Sequence, residues 1–335
     1  MGIKKSLLVV VIAALAAFPL LGCAVWRPIG TVTLVQPPLS PATEGKNQHT
    51  YDSGIEAYAF VTGWVQAPAY ILIDQQAAGL PDHLKKAQWV PSVAYMVRHP
   101  EQGVVVLDTG LRAGECAYGL RPIYWVPCRH EPGDDLVSQL ETLGVRGEDV
   151  RYIIASHLHG DHISGLDALL RYTGAPVAVT TKSLEDLQSP FRALYGVPPE
   201  MLARDMNALV IDERWHPDPA LGQSFDVFGD GSLLLFETPG HTKGHISAVL
   251  ELETDMFLLT FDAAHLRANL SLQIPSGSVA SRDDAVASLA ALQTLADQRT
   301  DATIIYGHEP TQWACVDGLI SLVDLGRECA PAITR

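Results

Sequence analysis

Ser156-His157-Leu158-His159-Gly160-Asp161-His162 follows the apolar run Arg151–Ala155 and precedes a helical pattern, so it reads as a loop between a strand and a helix. In extended chain alternate side chains share a face, which lets His157 and His159 point the same way. The start of the helix then turns Asp161 and His162 aside, so one short loop can serve two neighbouring metals. A single histidine is ordinarily a packed or surface residue. Three imidazoles and a carboxylate within six residues are poor core material and suit Zn²⁺.

Outward from this loop the chain alternates short apolar runs with helical patterns. Val93–Val97 and Val104–Leu107 read as strands joined through His99-Pro100-Glu101-Gln102-Gly103, with Asp108-Thr109-Gly110 at the second strand's end. Asp134–Leu143 reads as a helix with Gly144 at its C-cap position, and Ile163–Tyr172 as a helix ending near Gly174. Val177–Val179, Ser232–Phe236, Ile246–Leu250, Met256–Phe261 and Ala302–Tyr306 are strand-like, the last running straight into Gly307-His308. Ser281-Arg282-Asp283-Asp284 has the form of a capping box, opening a helix in which Val286, Leu289, Leu292 and Leu295 recur at helical spacing. Strands plus helices in each half suit a layered αββα arrangement, with two sheets inside and helices outside.

The loop resembles the HxHxDH signature of the metallo-β-lactamase superfamily. That resemblance implies an α/β fold of the α+β layered kind, a four-layer αββα sandwich holding metals at the lip between its sheets. Thr238-Pro239-Gly240-His241-Thr242 matches the next family motif, and its His completes a set with His157 and His159. Phe261-Asp262 matches the bridging carboxylate, and Tyr306-Gly307-His308 the final His, which with Asp161 and His162 surrounds the second metal. The implied cofactor is two Zn²⁺, although other divalent metals suit similar ligands. Asp108 is a family landmark that orients the ligand loop. His245 and His265 are left as non-ligands. The resemblance spans roughly residues 55–325.

Departures from the family's branches narrow the function. True β-lactamases of this fold lack the bridging Asp, and flavodiiron oxidoreductases replace the second His of the loop with Glu; here Asp262 and His159 are present. The stretch from Asp262 to Pro310 most resembles the N-acyl-homoserine lactone lactonases, many of which have a Tyr three positions after the bridging Asp that binds the substrate carbonyl. Here that position is His265. The implied reaction is lactone opening by a hydroxide bridging the metals, with Asp161 carrying the proton to the leaving alkoxide and His265 donating to the carbonyl. Tyr118, Ile123, Tyr124, Trp125, Phe191, Leu194 and Tyr195 are candidate walls for an acyl chain. Organophosphate hydrolases of the same fold and glyoxalase-II-like thioesterases are rivals, though no basic C-terminal region of the latter kind follows His308. A non-catalytic metal- or ligand-binding lipoprotein is the rival of another class, against which the intact Asp161 stands.

Composition sets the partners. The 335 residues are 47% hydrophobic and 18% charged, enough for a sizeable core, and the net charge of −15 disfavours nucleic acid and anionic headgroups. A small neutral ester or lactone fits better. At the N-terminus Lys4 and Lys5 precede an apolar run from Leu7 to Leu21, broken by Pro19, as in a secretory signal. Leu20-Leu21-Gly22-Cys23 resembles a bacterial lipobox. The expected organisation is a signal peptide over 1–22, a lipidated Cys23 with a Pro/Ser/Thr/Gly-rich tether over 23–53, and a catalytic domain over 54–335. Ala24, with no Asp after the Cys, points to a periplasm-facing lipoprotein of the outer membrane. Export would permit disulfides among Cys116, Cys128, Cys315 and Cys329, but they allow three pairings, and free thiols remain an alternative.

Overall fold

Alternation along single strands explains the layers. In Gln88–His99, Val93, Tyr95 and Val97 belong to one buried cluster while Ala94 and Met96 belong to another, so the strand is dry on both faces. A continuous apolar run of this kind needs a packed layer on each side. The same division holds in Met256–Phe261, where Phe257 and Leu259 share the first cluster and Met256 and Leu258 face a third.

The computed structural model describes residues 30–36, 54–114, 116, 126–189 and 205–328. Its first sheet takes β1 (Val32–Leu34), β2 (Glu56–Ala67), β3 (Gln88–His99), β4 (Gly103–Leu107), β5 (Cys128–Arg129), β6 (Val150–Ile154), β7 (Val177–Val179) and β8 (Met206–Val210). The second takes β9 (His216–Asp218), β10 (Gly222–Asp226), β11 (Leu233–Glu237), β12 (Ile246–Glu251), β13 (Met256–Phe261) and β14 (Ala302–Tyr306), after which β15 (Leu319–Ser321) returns to the first. The first sheet runs β1-β8-β7-β6-β4-β3-β2-β15, with β5 against β2, and the second β14-β13-β12-β11-β10-β9. Their inner faces meet in the central cluster, which includes Val105, Leu107, Leu235, Ala248 and Leu259. Leu136, Leu140, Leu166, Leu169 and Leu187, from three helices, cover the outer face of the first sheet; Leu270, Leu289, Leu292 and Leu295 cover that of the second. This is the four-layer αββα sandwich.

Local signals placed the helix starts. Asp135 accepts from the Ser138 backbone N–H at 3.1 Å, and Ser281 from that of Asp284 at 3.4 Å. Two readings need correction. The helix expected over Ile163–Tyr172 is two pieces, Gly160–Ile163 and Leu166–Thr173. Between them the Gly165 N–H donates to the Gly110 carbonyl, while the His162 carbonyl accepts from Thr109 and Gly110, so tertiary hydrogen bonds interrupt the helix. Val286, at helical spacing with Leu289 and Leu292, is 44% exposed, because the buried stripe shifts to Ala285 and Ser288 in that turn.

Within the span read as tether, Val32–Leu34 pairs in parallel with Met206–Ala208, and the Thr31 N–H donates to Asp205 at 2.6 Å. The open edge of β8 offers unpaired backbone groups, and a three-residue run is enough to meet them. Residues 1–29 and 37–53, with Cys23, lie outside the described residues, as do Tyr118, Ile123, Tyr124, Trp125, Phe191, Leu194 and Tyr195. Cys116 and Cys128 form a disulfide. Cys315 is also disulfide-bonded, and Cys329 lies outside the described residues. Among the described residues no helix is long and apolar enough to cross a membrane.

Candidate metal centre

Loops at strand ends deliver every polar group of the site. Asp108 follows β4, the 156–162 loop follows β6, His241 lies between β11 and β12, Asp262 follows β13 and His308 follows β14. Two backbone devices aim them. The β13–β14 pairing shifts register between Leu259 and Phe261, and Phe261 adopts φ 44°, rare for a bulky side chain. The strand thereby turns Asp262 out at its end. Gly307 makes room for it, since a Cβ there would stand 2.5 Å from the Phe261 carbonyl oxygen and 2.7 Å from Asp262 Oδ1.

All seven residues expected as ligands meet here. Asp262 stands in the middle and presents one oxygen to each side. Its Oδ2 lies 3.5 Å from His157 Nε2 and 3.2 Å from His241 Nε2, and His159 Nδ1 is 2.8 Å from that same His241 nitrogen. Its Oδ1 lies 3.2 Å from His162 Nε2 and 3.1 Å from His308 Nε2, which is in turn 3.5 Å from Asp161 Oδ2. Donors at about 2.0–2.2 Å from a zinc ion stand about 3.3 Å apart along a tetrahedral edge. The side chains are thus spaced as two coordination shells sharing a carboxylate.

Their unmet valences agree with that reading. His157 Nε2, His162 Nε2 and Asp262 Oδ1 are buried without a hydrogen-bond partner, a costly arrangement unless a cation completes it. The outer nitrogens explain why these lone pairs face inward. His308 Nδ1 donates to the Pro91 carbonyl at 2.8 Å, and His162 Nδ1 donates to Asp108 Oδ2 at 2.7 Å. Asp108 also accepts from the Ser156 N–H at 2.7 Å and from its hydroxyl at 2.8 Å. With Nδ1 protonated, Nε2 is left as the ligand atom.

The two remaining histidines differ sharply. His245 spends both nitrogens on the protein: Nε2 accepts from the Asp262 backbone N–H at 3.0 Å and Nδ1 donates to Thr238 Oγ1 at 2.8 Å. A relay continues to Ser247 Oγ at 2.8 Å and on to the Thr260 carbonyl at 3.1 Å, so each donor direction is settled. His245 therefore anchors the backbone of the bridging residue, a role sequence reading missed because its partners are backbone and hydroxyl groups with no motif. His265 lies inside the centre. Its Nε2 is 3.3 Å from Asp262 Oδ2, and its ring stacks on His308 at 5.4 Å.

Electrostatics divide the site. Burial pushes His157 well below the ordinary imidazole range, aided by His162. Burial and His241 bring His159 down to about 3, and burial brings His265 down to about 4. Burial acts in the same sense on His162, but Asp262 and Asp108 outweigh it and hold that ring well above the range. His308 is also raised, Asp262 and Asp161 overcoming its burial. Burial opposes the charge on Asp262, yet His308 and His162 keep its carboxyl well below the usual carboxylate range.

Residues 87–308 match the metallo-beta-lactamase superfamily. The chain is 31% identical over 239 residues to an N-acyl homoserine lactonase of Azorhizobium caulinodans, covering 67% of this chain and 84% of that enzyme. Its fold is similar to that of the AiiA protein of B. thuringiensis solved with N-decanoyl-L-homoserine at the active site: the TM-score is 0.62 at 22% identity, over 78% of this chain and 96% of the other. It is also similar, with a TM-score of 0.53 at 17% identity over 80% and 94%, to AidC, described as a dizinc quorum-quenching lactonase in complex with a product. A match across most of the sandwich, with the shared carboxylate between two clusters of donors, settles the family: this chain belongs to the metallo-beta-lactamase superfamily.

Proposed function

We propose that this hydrolase opens the lactone ring of N-acyl-homoserine lactones, and so quenches quorum signals, with two zinc ions at the described centre. The observation that carries the reading is the kinship with the Azorhizobium lactonase over most of that enzyme's length. His157, His159 and His241 would hold one ion, Asp161, His162 and His308 the other, with Asp262 between them. When bound, the metals supply Lewis acidity and a water whose pKa is lowered to about 7.

The protein's own groups supply the rest. Asp161 is 26% exposed in its side chain, so it faces arriving substrate from the ligand set. Its pKa is below the usual carboxylate value, burial being overcome by His162 and His308, so it is an ionised proton acceptor. It would take the proton released as water adds to the lactone carbonyl and pass it to the alkoxide freed when the ring C–O bond breaks, which requires hydrogen-bond reach of both. His265, which the resemblance sets at the substrate carbonyl, has its Nε2 3.3 Å from Asp262 Oδ2.

One preparation assayed on N-hexanoyl-homoserine lactone, a phosphotriester and a glutathione thioester tests the substrate. Fastest turnover of the lactone is expected; a faster phosphotriester or thioester would replace the reading, and no turnover of any would favour a binding protein. Metal analysis of the same preparation tests zinc. The reading of Cys23 as a lipid anchor in the outer membrane, with the domain facing the periplasm, is part of the proposal. Loss of membrane association and of acyl labelling in Cys23→Ala would support it.

A further inference from the structure

His265 is 1% exposed, and neither of its ring nitrogens has a hydrogen-bond partner. A neutral imidazole carries one N–H and one lone pair, and a buried one normally satisfies both, as His245 does. The Nε2 of His265 lies 3.3 Å from Asp262 Oδ2, between the 3.2 Å of His241 and the 3.5 Å of His157 to that same oxygen. Its distance to that oxygen matches those of the two histidines. The stack on His308, with 24° between the rings, keeps its plane, and donor atoms of Asp262, His265 and His308 lie within 4.8 Å of one another.

We infer that His265 is a further ligand residue of the centre, entering the shell beside Asp262 through Nε2. The centre then has one imidazole more than the seven-residue set provides. A shell enlarged in this way favours metals that accept five or six ligands over a strictly tetrahedral ion, and it holds its ion more firmly. His265 in that role orders the metal and leaves the substrate carbonyl to other groups. The inference rests on the divalent centre and is independent of which ester the enzyme cleaves.

The test uses the full chain loaded with cobalt(II) and ¹⁵N-labelled at histidine. A ring bound to the paramagnetic ion carries strongly shifted resonances. Six such rings, His157, His159, His162, His241, His265 and His308, are expected. Five, with His265 at an ordinary position, would overturn the inference whether or not any lactone is hydrolysed. In His265→Gln and His265→Ala one shifted ring should vanish and cobalt should pass to a chelator about tenfold faster or more. Unchanged spectra and an unchanged rate in a folded variant would also overturn it. Should both variants fail to fold, the wild-type ring count decides alone.

Discussion

The two sides of Asp262 are built from similar residues but in opposite electrostatic states. Facing Oδ2 are His157, His159, His241 and His265, of which His157, His159 and His265 are held below the ordinary imidazole range by burial and by one another. Facing Oδ1 are His162 and His308, kept above it by Asp262 with Asp108 and Asp161. Without metal, His157, His159 and His265 offer neutral lone pairs, while His162 and His308 hold protons. A cation therefore enters the first side with little proton release and the second by displacing protons. The difference arises in the carboxylates around the rings: Asp262, Asp161 and, at His162, Asp108 outweigh burial on the Oδ1 side.

The largest effect should come from removing what both sides share. Asp262→Ala is expected to take metal content and hydrolysis to background, read by metal analysis and initial rates; a variant retaining both ions would show that the carboxylate is not the bridge. Asp161→Asn strikes the Oδ1 side alone, and a rate loss of about 10²–10⁴-fold is expected with metal still bound. An unchanged rate would remove the proton-carrier role. Asp108→Ala leaves His162 without its outer acceptor and should weaken the second ion by about 10–100-fold in chelator competition, with the first little changed. Equal weakening of both would break the comparison between the two sides.

The smallest effect is on the metal-free protein as pH changes. His159 and His265 refuse protons that the unfolded chain takes up between 6.5 and about 3 or 4, so stability falls as pH drops through that window. His162 and His308 have raised pKa values; their contribution is fully present below 6.5 and is lost as pH rises through those values. Thermal midpoints of the metal-free protein should thus peak near pH 6.5 and fall on both sides. Saturating metal should remove the alkaline decline; its persistence would mean that those protons lie elsewhere.

The ligand types and the strands that carry them were legible because their signals are local. His157-Leu158-His159 needs only an extended backbone to align its rings, and Asp262 and His308 each close an apolar run that reads as a strand on its own. β1 escaped because three residues, Val32–Leu34, show no periodicity and gain stability only from the edge of β8, far along the chain. The break at Ser164-Gly165 escaped for a similar reason, since the bonds that cause it come from Thr109 and Gly110.

The histidines show most clearly where sequence stops. By itself it determined which donors exist, in what order, and next to which strands, because donor chemistry belongs to the residue and strand patterns belong to its neighbours. It left His245 without a role and, by resemblance, set His265 at the substrate carbonyl. Only the tertiary structure decided that the first is bound by Thr238 and the Asp262 backbone while the second faces Asp262 Oδ2 with both nitrogens free. The orientation of a buried ring is set by the partners packed around it, and those partners come from strands that only folding brings together.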